Sequence, residues 1–224
     1  MKNLEHYKNM VKDVYFQVTE PGGGKGFRYY HSLRVFRYCK KILKYDEIDN
    51  DKIDNDKIDR DALLISALFH DIGGSKSIEN GTMRANRSQV EDYEENHESR
   101  SARFVEENLE GLSDGLKEKV ENIVSEHHSE DPDNYETLIL QDADNLDELG
   151  YLTIFRTFTY VGFKEQTFDE MIDYYMQAEE NNKLEEILKR FNFKSTRKVA
   201  EQRISKAKKF MGELMKEHEG EDLT

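Results

Sequence analysis

Apolar residues recur along this chain at three- and four-residue steps, a period that predicts helices nearly throughout. Leu4, Tyr7, Val11, Val14, Tyr15 and Val18 make one stripe over residues 3–18, the mark of an amphipathic helix lying on a core. PGGGKGF at 21–27 interrupts it; the spacing and the Ser/Thr of a Walker loop are missing, so the stretch reads as a flexible connector. Helical spacing resumes over 27–45, with Leu33, Phe36, Cys39 or Lys40, and Leu43 on one side. Residues 48–59 repeat a polar five-residue unit too short for a solenoid and lacking the glycine and terminal glutamate of a calcium loop, which predicts a solvated linker. Residues 62–69 are apolar almost all round, so this helix is expected to be buried on most faces. It leads into His70-Asp71 and then Gly73-Gly74, expected to turn the chain away. Residues 75–90 lack periodicity and collect Lys76, Arg84 and Arg87, either a loop over a site or a solvated surface loop.

Further helices are predicted over 91–110 and 115–128, the second capped by Ser113 or Asp114 and favouring His127 over His128 as its inward residue. Two more span 135–162 and meet near Gly150-Tyr151, and residues 167–219 are helical to the end. In the last of these, Ala200, Ile204, Ala207, Met211 and Leu214 form a stripe expected to face the core. The fold class is all-α.

Composition narrows the function. With 36% charged residues, two prolines and no tryptophan, the chain is well solvated and carries few helix breakers. A net charge of -14 argues against a nucleic-acid or anionic-membrane binder, which needs clustered positive charge, but a divalent ion with a few local cations still admits a phosphate substrate. One cysteine, Cys39, excludes an internal disulfide and sits in an apolar helical pattern. Neither a signal segment nor a membrane span is evident, so a cytoplasmic protein is expected.

The candidate chemistry starts at His70-Asp71. Burying an imidazole beside a carboxylate is costly unless both are paired or bind a metal. Neighbours on a helix diverge by about 100°, so the two could straddle an ion; the alternative is a pair that merely caps a helix end. Three other stretches add His31, His97, the pair His127-His128, and then Asp142, Asp144 and Asp147 in QDADNLDELG. His31, His70, Asp71 and one of these aspartates offer two imidazoles and two carboxylates, a set suited to Mn, Fe, Co, Ni or Zn, with Mg less favoured by nitrogen. His97 and His127 read as second-metal ligands, phosphate-binding or proton-donating groups, or core histidines. Arg156 is either a phosphate contact or half of a surface ion pair.

Taken in order, these residues and the local texts ALFHDIG and ADNLDELG resemble the HD-domain superfamily of metal-dependent phosphohydrolases. The resemblance spans about residues 25–165, and its later part is similar to small bacterial HD hydrolases, some of which cleave nucleoside triphosphates. It implies a single HD-type helical bundle over residues 1–224, with N- and C-terminal helices packed on the core. It also implies metal ligation by His31, His70, Asp71 and Asp144, the aspartate of Ala143-Asp144-Asn145-Leu146. Asp142 is then the fallback ligand, and Asp142 and Asp147 are otherwise supporting or solvated groups. Lys76 resembles the lysine that follows the His-Asp pair in several HD groups and would bind phosphate with Arg156. One tight ion, manganese first, is expected, with His97 and His127 lining the cleft and acting with Asp71 in catalysis, because the acidic motif of two-metal relatives is not evident in SEDPDNYE. The activity implied is hydrolysis of a nucleoside triphosphate to monophosphate and pyrophosphate. A nucleotide monophosphatase or other phosphoesterase, a non-enzymatic nucleotide-sensing module and a di-iron oxygenase are the alternatives. The partner expected is a small phosphorylated molecule, and a homo-oligomer is left open.

Overall fold

The computed structural model describes residues 4–17, 19–20, 23–44, 58–77, 97–180 and 183–223. The architecture is all-α, as the apolar period predicts, apart from one small β-pair. Its first helix, α1 (Leu4–Tyr15), buries Tyr7, Val11 and Tyr15 along the predicted stripe. The expected connector contains a two-rung antiparallel ladder, β1 (Thr19–Glu20) with β2 (Gly24–Lys25), in which Thr19 faces Lys25 and Glu20 faces Gly24. Gly26 ends it at φ 74, where a Cβ would lie 2.7 Å from the Phe16 ring, so only glycine suits the entry to the next helix.

That helix, α2 (Phe27–Ile42), buries His31, Val35, Phe36, Cys39 and Ile42. Cys39 is a free thiol in the core, and burial pushes its pKa up, which fits packing rather than nucleophilic use. At the centre lies α3 (Arg60–Phe69), in which every residue from Ala62 to Phe69 is buried. Asp59 caps it by accepting from the Ala62 amide, and α1, α2, α5 (Asp114–Ser125) and α6 (Tyr135–Asp147) pack around it. Truncating a fully enclosed residue here, such as Leu68, would cost about 2–5 kcal/mol.

After α3 the chain tightens into a 3-10 turn, Ile72–Ser77, that packs on α4 (His97–Asn108). Gly73 lies within this turn, as its place after the helix predicts, and a close contact rather than a positive φ demands the glycine. A Cβ at Gly73 would stand 2.3 Å from the Ser101 amide nitrogen and 2.5 Å from the His97 carbonyl, and its own N–H donates to Ser101 Oγ at 2.8 Å. Close approach of two backbones requires the glycine, and that contact fixes the α4 turn that presents His97. The polar repeat over 48–57, Arg84 and Arg87 lie outside the described residues.

Asn134 caps α6 through the Thr137 amide, and Gly150 separates it from α7 (Tyr151–Phe163) at φ 82. The chain closes with α8 (Phe168–Glu180), α9 (Lys183–Leu188) and α10 (Lys194–Glu219). Ala200, Ile204, Ala207 and Met211 of α10 are buried as predicted, and α10 packs on α6, α7 and α9. Phe191, Phe193, Ala200 and Ile204 join the apolar cluster that surrounds α3. Arg203, on the edge of the stripe, reaches the Leu146 carbonyl and lies 4.8 Å from the Tyr38 ring centre. No helix among the described residues is long and apolar enough to cross a membrane.

Candidate metal centre and substrate cleft

Three helices aim four side chains at one point. His31 comes from the second turn of α2, His70 and Asp71 from the C-terminus of α3, and Asp144 from α6. His31 Nε2 lies 3.1 Å from His70 Nε2, 3.2 Å from Asp144 Oδ1 and 3.6 Å from Asp71 Oδ2. His70 Nε2 is 3.7 Å from Asp144 Oδ1 and 3.9 Å from Asp71 Oδ1. All four residues expected as ligands therefore meet.

The outer ring nitrogens explain what this cluster wants. His31 Nδ1 donates to Asp147 Oδ2 at 2.8 Å, and His70 Nδ1 donates to the Ala67 carbonyl at 3.2 Å. With both Nδ1 atoms committed as donors, two Nε2 lone pairs and two carboxylates converge, and only a cation between them relieves the repulsion. A proton suffices without a metal. Burial opposes charge on His31, yet the hydrogen bonds from Asp144 and Asp147 outweigh it and raise its pKa to about 10. Burial likewise works against ionised Asp71 and Asp144. The surrounding imidazoles, with Arg28 beside Asp71, still hold both well below the usual carboxylate range. This donor set fits a divalent transition metal, with nitrogen favouring Mn, Fe, Co, Ni or Zn over Mg.

Asp71 also faces a second group. Its Oδ1 lies 3.3 Å from His97 Nε2 and 3.8 Å from His127 Nε2, and its Oδ2 takes a 2.7 Å ion pair from Arg28. His127 Nδ1 donates to the Val124 carbonyl at 2.7 Å, and its buried Nε2 makes no hydrogen bond to any described residue. His97, His127 and His128 offer ligand atoms within 4.8 Å of one another, a second cluster able to hold an ion. His127 is the inward member of its pair, as helical spacing predicts, and is 1% exposed. His128 is exposed at one edge but packs its ring 4.1 Å from that of His127, and this partial withdrawal from water, with the neighbouring His127, lowers its pKa to about 4.

The three aspartates of α6 separate cleanly. Asp147 is fully buried, supports His31, and takes two bonds from Arg34, at 2.6 Å from Nε and 2.9 Å from a terminal nitrogen. Asp142, the fallback ligand, points away from the centre. It accepts from the Asn192 and Phe193 amides at 2.8 and 3.1 Å, from the Asn192 side chain and from the Thr196 hydroxyl, and so anchors the start of α10. Burial lifts its pKa to about 6 against those bonds. Helix geometry explains the split, since two residues of α-helix turn a side chain by about 200°.

A cavity of about 360 Å³ opens over the centre between Phe27, Arg28, Asp71, His97, Glu148 and Arg156. Arg156 reaches it from α7 with its guanidinium 5.4 Å from the Phe27 ring centre. Lys76 belongs to the 3-10 turn after Asp71, but its side chain lies outside the described residues. Sequence reasoning missed Arg28, Arg34 and Glu148. Arg28-x-x-His31-x-x-Arg34 is a three-residue repeat on α2 and could have flagged the first two. Glu148 carried no signal.

The chain matches the model of the HD domain over residues 28–149, more than half its length. Its fold is similar to the crystal structure of Bacillus subtilis YpgQ in complex with ADP, at 21% identity and a TM-score of 0.61, covering 96% of this chain and 95% of that one. Lin1889 from Listeria innocua is similar at 19% identity and a TM-score of 0.54, covering 97% and 98% of the two chains. A Lactobacillus plantarum protein follows at 16% identity and a TM-score of 0.56, with 98% of each chain covered. No curated protein matches.

Proposed function

The chain belongs to the HD domain family of metal-dependent phosphohydrolases, and on that premise we propose that it hydrolyses nucleoside triphosphates to monophosphate and pyrophosphate. The observation that carries the reading is the convergence of His31, His70, Asp71 and Asp144 on one cation-demanding point beneath a cleft walled by Arg28 and Arg156. The divalent ion these residues would hold, manganese first, lowers the pKa of water and offsets charge on a phosphoryl oxygen. A nucleotide as the substrate class is supported by the ADP in the YpgQ crystal structure.

In this reading water adds to the α-phosphorus, the bond to the bridging oxygen breaks, and pyrophosphate leaves. Asp147 holds the His31 tautomer, and Arg156 draws the distal phosphates along the cleft by charge-assisted contacts, with Lys76 proposed as its partner. His97, 3.3 Å from Asp71, is within reach of the reacting groups as a proton donor, and His127 supports Asp71 from behind. A second reading, two ions sharing Asp71, is favoured by the His97, His127 and His128 cluster and by a His127 Nε2 that makes no hydrogen bond among the described residues.

Chromatography of products from a manganese-supplemented reaction tests the proposal. Monophosphate and pyrophosphate are expected. Diphosphate with orthophosphate would refute cleavage at the α-position, turnover of monophosphates alone would make the protein a nucleotidase, and nucleotide binding without turnover would make it a sensor.

A further inference from the structure

Two more cavities adjoin the central cleft, and their charges differ. The narrower, about 390 Å³, runs past Phe27 along α7 and carries Arg28, Arg156 and Glu148 together with the hydroxyls of Thr153, Thr157 and Tyr160. The wider, about 590 Å³, opens past His128 towards α9 and carries four carboxylates, Glu130, Asp144, Glu148 and Glu186, against Lys189 and Arg190. Two cations against one acid make the first arm positive; in the second, Lys189 and Glu186 cancel as an ion pair and Asp144 belongs to the metal centre, which leaves Glu130 and Glu148 against Arg190 and a negative lining.

A polyphosphate tail bears several negative charges and is repelled by a carboxylate-lined wall of low dielectric. A nucleoside is neutral, and its sugar hydroxyls and base N–H groups are donors that carboxylates accept. The wide arm also supplies the other elements of base recognition. Asn145 offers an amide that no described residue engages, able to pair with a base edge. Arg190 offers a guanidinium plane on which a base can stack, and it lies near enough to Glu148 to lower that group's pKa, against the rise that burial and Asp144 cause. Lys189 is already paired with Glu186 at 2.6 Å, which removes the other cation that might have drawn phosphate there.

We propose that the wide arm, between Asn145, Glu148 and Arg190, is the nucleoside subsite, and that the polyphosphate lies instead in the cavity past Arg28 and Arg156. This rests on the nucleotide reading above and adds an orientation to it. Glu148, which borders all three cavities, stands where the sugar must pass and accepts its hydroxyls.

The test compares a nucleoside triphosphate with inorganic tripolyphosphate, which has the tail and no nucleoside. On manganese-loaded protein, Arg190→Ala and Asn145→Ala should each raise KM for the nucleotide by about tenfold while shifting the inhibition constant of tripolyphosphate by less than about twofold. Arg156→Ala should weaken tripolyphosphate inhibition by about tenfold. Equal losses for both ligands in Arg190→Ala would put phosphate in the wide arm and overturn the assignment, as would an unchanged KM in both wide-arm variants. Calorimetric binding of a non-hydrolysable nucleoside triphosphate keeps the two proposals apart. If the wild type binds it in an Arg190-dependent way without turnover, hydrolysis fails and the subsite stands; if nothing binds, both fall.

Discussion

Replacing Asp147 with Asn would test whether the centre depends on the groups behind it. Asp147 has no exposed surface and accepts three hydrogen bonds, one from His31 Nδ1 and two from Arg34. An amide of the same shape has one acceptor oxygen. Placed at the Oδ2 position it keeps His31 and one Arg34 nitrogen, but its NH2 group then faces Arg34 Nε, a part-buried donor left unmet at a cost of at most about 1–3 kcal/mol. The His31 tautomer survives, yet the ring loses the negative charge that makes its Nε2 a stronger donor to a metal. Loss of such a supporting group usually weakens metal binding by about 10–100-fold, or about 1.4–2.7 kcal/mol at roughly 1.36 kcal/mol per decade. Two measurements separate the effects: a thermal melt of metal-free protein reads the unmet donor, and manganese titration calorimetry reads the ring. A folded Asp147→Asn protein that binds manganese as tightly as wild type would refute the reasoning.

Four further outcomes are expected. His70→Ala or Asp71→Ala should lose bound metal and phosphohydrolysis while keeping helical circular dichroism, and full activity in metal-depleted Asp71→Ala would sink the ligand assignment. His97→Ala should retain the tight ion and lose at least about tenfold in turnover, whereas elemental analysis falling from two ions per chain to one would establish the two-ion centre. Because the folded pKa of His31 lies near 10 against 6.5, its imidazolium stabilises metal-free protein fully below pH 6.5 and loses that contribution as pH rises through about 10. Manganese must displace the same proton, so its affinity should climb with pH over that window, with proton release at pH 7 measured by titration in buffers of different ionisation enthalpy. Gly73→Ala should lower the melting temperature, since a methyl group at 2.3 Å from the Ser101 amide nitrogen forces α4 off the 3-10 turn; an unchanged melt would show that the contact yields freely.

What could be read in the sequence was what repeats or stands beside its partner. The apolar period gave α1, α3 and the α10 stripe, and His70-Asp71 announced itself by following a helix with no polar face. The β-pair was missed because two rungs are too short for an alternation to register. Gly73 reads as a turn residue and is one, but its tighter constraint, the backbone of α4, lies across the fold. Arg28 and Asp71 are 43 residues apart, Arg34 and Asp147 113, and no local pattern links such pairs. Choosing among Asp142, Asp144 and Asp147 needs the rotation of α6 relative to three neighbours, a tertiary quantity. Glu148 gained meaning only once three cavities met beside it.

Helix α6 works as a spindle with three spokes: Asp142 to the C-terminal helix, Asp144 to the metal centre, and Asp147 to His31 and Arg34. Each spoke is a carboxylate, so the chemistry is the same and only angular position assigns the task. A single residue inserted between 142 and 147 would swing everything beyond it by about 100°. That would aim the spokes at apolar neighbours such as those around Ala143 and Leu146. Substitutions on this helix can be tested one by one, but a change of its length would rewire all three connections together. A residue added instead in the preceding loop, Ser129–Asp133, where the residues are mostly exposed, would leave the spindle's phase unaffected.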